Sequence, residues 1–106
     1  MNLSSVPFAA IKDGSKVIES RLYDAKRQDI ELGDEIVFHN DDSDDTVTTR
    51  VVGLLRYATF REMFEDNDPL KFGGPDADWL TNQIEEFYSP EKQLANGVVG
   101  VRIQRV

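Results

Sequence analysis

A chain of 106 residues with 40% hydrophobic side chains has room for one domain, residues 1–106, and an ordinary core that buries about two thirds of the unfolded surface. It has no cysteine and no apolar run near the roughly 20 residues of a bilayer span, which excludes a disulfide scaffold or a transmembrane protein and points to a reducing, cytoplasmic setting. The net charge of −8 excludes a protein that coats nucleic acid nonspecifically, because phosphate neutralisation drives that mode of binding.

In chain order, the opening MNLSSVPFAAIKDG lacks the basic, apolar and small-residue succession of a signal peptide. Val6–Lys12 reads as a short helix stopped by Asp13-Gly14. Residues 16–23 then alternate. Val17, Glu19, Arg21 and Tyr23 fall on one side and Lys16, Ile18, Ser20 and Leu22 on the other, which predicts a strand with one apolar face. Asp24–Asp29 is polar and forms a turn or a short helical segment. Gly33-Asp34 introduces a second strand, Glu35–His39, with Ile36 and Phe38 inward. The run NDDSDD at residues 40–45 is a hairpin loop before a long strand, Thr46–Tyr57, in which Gly53 predicts a bulge or a close backbone approach.

Thr59 and Glu62 have the spacing of a capping box that opens a helix, and Pro69 ends that helix or the loop after it. Residues 72–75 form a turn. Trp79, Leu80, Ile84, Phe87 and Tyr88 recur at helical spacing, which predicts one helix over 76–88 with Trp79, Phe87 and Tyr88 in the core. Ser89-Pro90 caps a last helix to about Ala95, Asn96-Gly97 stops it, and Val98–Val106 is the closing strand. The expected fold is mainly β with short helices, an α+β barrel of about 5–6 strands with 3–4 helices over one end.

Charge is segregated along this order. Residues 11–27 carry five bases against three acids, and residues 50–61 carry Arg50, Arg56 and Arg61 with no acid, so the two stretches hold +5 and the remainder −13. That pattern fits a local anion site on an acidic surface. The richest stretch is Gly14 to Leu22, where Lys16, Glu19 and Arg21 lie within six residues. Lys16 and Arg21 suit a phosphate or a polarised carbonyl, and Glu19 can accept a proton or fix a cation. A surface strand with self-compensating charges would read the same way. Tyr57, ending the arginine-bearing strand, could stack a nucleobase.

The pattern G-x-K-x-x-E-x-R-L, followed by Ile30, Gly33, Asp34, Ile36 and Phe38, resembles the ASCH domain family. Residues 57–63, 87–91 and 97–101 resemble its later segments in the right order, so the resemblance runs from about Phe8 to Ile103. It implies a PUA-like barrel that binds RNA or a nucleotide in a cleft holding the motif, with Lys16, Glu19, Arg21, Arg56 and Tyr57 as the ligand-binding set. Some members resemble amidohydrolases of N-acetylated cytidine, which use a lysine, a threonine and a glutamate, and another type is linked to RNA cleavage. Lys16 carries over to the lysine, but Glu19 stands where the threonine would be. An enzyme with Lys16 and Glu19 as its catalytic pair is therefore the alternative to a binding module, and a protein-interaction domain with an acidic surface is the third reading.

No cofactor is expected, because Gly73-Gly74 does not continue into a phosphate loop. A lone His39 beside an acidic loop does not make a metal site, and NDDSDD lacks the glycine and distal glutamate of a calcium loop.

Overall fold

The computed structural model describes residues 1–106. Five strands form one curled sheet in the order β1-β3-β4-β5-β2. They are β1 Asn2–Leu3, β2 Ile18–Leu22, β3 Glu35–Asn40, β4 Thr46–Tyr57 and β5 Val98–Arg105. β1 runs parallel to β3, and the other neighbours are antiparallel. The two strands nearest the N-terminus thus occupy opposite edges of the sheet. The register of β4 against β5 shifts between Val51 and Gly53, the bulge expected there, and bulges increase local twist and curl a sheet.

The curl brings the two edges near each other without pairing them. Five helices complete an α+β fold: α1 Ser5–Asp13, α2 Ala25–Gln28, α3 Phe60–Asp66, α4 Ala77–Ile84 and α5 Pro90–Asn96, with a 3₁₀ turn at Pro69–Phe72.

Alternation along β5 divides the interior into two cores. Val99, Val101 and Ile103 face one side and pack with Leu3, Phe8, Ile11, Ile36, Phe38 and Val51. Val98 faces the other, packing with Ile18, Leu22, Phe60, Met63, Phe64, Phe72 and Leu80. In this second core Phe60 stacks on Tyr88 with ring centroids 5.8 Å apart, and Phe64 meets Phe72 edge-on at 5.0 Å. Gln93, fully buried, joins the helices. Its Oε1 accepts from the Phe60 N–H at 3.0 Å, and its Nε2 donates to Glu85 Oε2 and to the Tyr88 carbonyl, both at 3.1 Å. Thr59 Oγ1 caps α3 by accepting from the Glu62 N–H at 3.2 Å, as the sequence spacing requires.

Three expectations need correction. β1 has only two residues, too few for any alternation, and is absent from the sequence reading. The helix expected over 76–88 stops at Ile84: the Glu85 N–H makes the last helical bond, to the Thr81 carbonyl, and the Glu86 and Phe87 N–H groups bond in tighter turns to the Gln83 and Ile84 carbonyls. Beyond that point helical spacing no longer governs direction, so Phe87 is 73% exposed, whereas Tyr88 packs on the second core as expected. Trp79 lies within α4 but off the inward face formed by Ala77, Leu80, Thr81 and Ile84, and is 45% exposed. Pro69 ends the loop after α3, the second of the two alternatives, by opening the 3₁₀ turn, with Asp68 accepting from the Leu70 N–H.

Gly100 sits where β5 crosses the second core. A Cβ there would lie 2.9 Å from Met63 Sδ and 3.1 Å from Ile18 Cγ2. Gly100→Ala should therefore destabilise the fold by about 1–3 kcal/mol, the usual range for overpacking, as read from its urea midpoint. An unchanged midpoint would mean the crossing is looser than described.

Candidate anion-binding site

The site is built around Glu19, the second residue of β2. It pairs with Val101 and points into the first core, where water is excluded. Its side chain is only 4% exposed, yet both oxygens meet cations: Oε1 is 2.8 Å from Lys16 Nζ and Oε2 is 2.7 Å from Arg21 Nε. The cations are themselves only 13% and 14% exposed. Burial pushes the Glu19 carboxyl up, but the combined attraction and hydrogen bonds of Lys16 and Arg21 outweigh it and hold the group below its ordinary value of 4.5. The triplet carries one anion between two cations, so its formal excess of +1 favours an incoming anion.

Arg21 reaches Glu19 because residues two apart on a strand share a face. Lys16 does so for a different reason. Strict alternation would set it on the opposite side, but β2 begins only at Ile18. Before that, the Lys16 N–H bonds to the Ala10 carbonyl and the Val17 N–H to the Lys71 carbonyl, so the segment bends. Gly73, which ends the 3₁₀ turn, leaves room for the Lys16 side chain. At φ +90 it suits glycine, and the Lys16 stem passes so closely that a Cβ would lie 3.1 Å from Lys16 Cδ.

Arg21 also spans the open seam of the sheet, its Nη2 donating to the Asn2 carbonyl of β1 at 3.2 Å. At this seam a cavity of about 470 Å3 opens, lined by Met1, Asn2, Arg21, Lys26, Arg27, Ile30 and Ile36. The lining holds three cationic side chains and no acidic one. Arg27 is oriented by Asp24 at 3.1 Å, whereas Lys26 is exposed and makes no bond within the chain. Positive potential registers on the Met1 amino group, which burial, then Arg21 and Arg27, push below its ordinary value against the opposing pull of Glu19. Lys16 borders a separate, smaller cavity of about 190 Å3 with Gly14, Thr49 and Arg105. Glu19 lines neither cavity. With each oxygen already accepting from a cation, it acts as the fixed post between two positively charged ends.

The family model of the ASCH domain matches residues 1–104. The chain belongs to the ASCH domain family. The crystal structure of the hypothetical protein PH0355 is similar to this ASCH domain with a TM-score of 0.89 and 31% identity, covering 100% of this chain and 96% of that one. The solution structure of protein PF0455 from Pyrococcus furiosus is similar with a TM-score of 0.76 and 30% identity, covering 100% and 98%. No curated protein matches. ASCH membership is consistent with RNA binding. No helix of this ASCH domain is long and apolar enough to cross a membrane.

Of the residues singled out from the sequence, the fold brings Lys16, Glu19 and Arg21 together. Arg56 lies on the same face, since Arg21 pairs with Val99 and Val99 with Arg56 across β2, β5 and β4. Tyr57 does not join them. As the next residue of β4 it points to the opposite face, packs on the second core and donates its hydroxyl to Asp66. Lys26 and Arg27, which line the larger cavity, belong to a stretch noted only for its charge; nothing in the spacing of α2 aimed them at the seam.

Removing the anion of a buried ion pair leaves its cations uncompensated, a loss of about 3–5 kcal/mol. Glu19→Gln should lower stability at neutral pH by that order. The folded-state value of Glu19 is depressed, so its contribution is complete above 4.5 and is lost as pH falls through the lower folded value. Urea unfolding of wild type should therefore weaken on acidification below that point, and Glu19→Gln should show a shallower decline. Equal midpoints for the two proteins at pH 7 would remove Glu19 from its anchoring role.

Proposed function

We propose that this ASCH domain binds RNA or a nucleotide through phosphate groups held at the seam cavity by Arg21, Lys26 and Arg27, with Lys16 and Glu19 fixing the guanidinium of Arg21. The observation that carries the reading is the composition of the cavity wall: three cationic side chains and the apolar Ile30 and Ile36, with no carboxylate among the lining residues. Arg21 spends Nε on Glu19 and Nη2 on Asn2, which leaves Nη1 without a partner in the chain. A guanidinium held in this way loses little freedom when it meets a phosphate.

The overall −8 charge limits the ligand. Long duplexes would meet repulsion outside the cavity, whereas a short single strand or a mononucleotide presents its phosphates locally. Glu19 supports binding more than acid–base catalysis, because it is buried and engaged on both oxygens.

Binding of a short single-stranded RNA should weaken with salt, the logarithmic slope being about −0.7 for each phosphate neutralised. Lys26→Ala removes an exposed cation with no structural bond, so it should flatten that slope by about 0.7 and leave the thermal midpoint unchanged. Fluorescence anisotropy at several salt concentrations reads both quantities. Binding that ignores salt and is the same in Lys26→Ala would rule out the phosphate site.

A further inference from the structure

The face that carries Arg21 also carries a planar stack. Tyr23 follows β2 two residues after Arg21 and packs its ring on the edge of the first core. Its N–H donates to the Gly97 carbonyl at 3.0 Å, and its own carbonyl accepts from Gln28 Nε2 at 3.2 Å, so the backbone that carries the ring is tied on both sides. Arg56 reaches it from β4, and its Cζ lies 3.6 Å from the ring centroid. That is van der Waals contact over the centre of the ring, a close cation–π geometry. Arg56 enters none of the chain's seven salt bridges, although the molecule carries 20 acidic residues. It is also exposed. One face of the guanidinium thus rests on Tyr23, and the rest of the group meets solvent.

We propose that the Arg56 guanidinium, flattened on Tyr23, is a stacking platform for a nucleobase of a single strand whose phosphate sits at Arg21, Lys26 and Arg27. This rests on the phosphate reading above and adds the base subsite to it. Bases stack on arginine planes as well as on aromatic rings, and the contact tolerates any base because each has a π-face. The distance suits it. Arg56, Val99 and Arg21 form one row across three neighbouring strands, which puts the Arg56 and Arg21 backbones about 10 Å apart at the usual strand spacing. The stack is preorganised by the ring beneath it, so a base meets a plane already oriented.

The other aromatic candidates fit less well. Tyr57 faces the opposite side of the sheet. Trp79 is half exposed, but the exposed acids Asp76, Asp78, Glu85 and Glu86 lie along its own helix and the turn after it, where they repel phosphate. A duplex hides its base faces, so the platform selects unpaired strands.

The test compares a six-nucleotide oligoadenylate with an abasic strand of equal length, by anisotropy at fixed salt. Wild type should bind the base-bearing strand about tenfold more tightly, within the range of one stacked base. Arg56→Lys keeps the charge and removes the plane. It should bring that ratio close to one by weakening the base-bearing strand far more than the abasic one. Tyr23→Leu, which removes the ring beneath the guanidinium, should lower the ratio as well, and Tyr57→Phe should keep it. A wild-type ratio of one, or a ratio that survives Arg56→Lys, overturns the platform while salt-dependent binding of both strands leaves the phosphate site standing. Failure of wild type to bind either strand overturns both.

Discussion

A carboxylate taken out of water is tolerated only where cations and hydrogen bonds replace its hydration. Glu19 is such a group, and much of the molecule around the seam follows from it. Its position on the core face of β2 requires Lys16 and Arg21 to turn inward, and those two side chains then define the borders of two separate cavities. Replacing a buried ion pair by apolar residues of similar shape is often neutral or stabilising, since buried ion pairs seldom exceed good apolar packing. What such a replacement would remove is a pair of cations with fixed direction. The triplet is therefore better understood as a means of placing charge than as a source of stability.

The sheet supplies the place. With β1 and β2 on opposite edges, the curl leaves a seam in which backbone pairing is replaced by one side-chain bond, Arg21 Nη2 to the Asn2 carbonyl. A residue that closes the fold and faces a cavity links the two roles physically. The short helix α2 lies directly after β2, so Lys26 and Arg27 arrive at the same opening, and the N-cap Asp24 orients Arg27 while leaving Lys26 free. On the far side of the sheet, the aromatic core around Phe60 and the Gln93 hub hold the helices without contributing to the seam.

Much of this was legible in the sequence where a short-range rule applied. The limits of β3, β4, α5 and β5 follow from turn residues and caps, and the bulge at Gly53 follows from a glycine that interrupts the side-chain row of a long strand. The pairing of Glu19 with Arg21 follows from their two-residue spacing, and the same alternation put Tyr23 beside them. The rest depended on contacts distant in sequence. Lys16 was on the wrong side by parity, because the bend before β2 is set by Ala10 and Lys71. Tyr57 is next to Arg56 in the chain, but adjacent residues of a strand point to opposite faces. Trp79 and Phe87 looked like core at helical spacing, and the helix ended before that spacing could place Phe87.

The most direct test of the account is a pH titration of the Glu19 side-chain carboxyl, followed by its 13C chemical shift. An ionised carboxylate clamped between Lys16 and Arg21 should titrate below the ordinary value of 4.5 despite its burial, and Lys16→Met should move it upward. A titration at or above that value in the wild-type protein would mean that burial prevails, that Glu19 is not the charged post, and that Arg21 is not held for a phosphate in the way described.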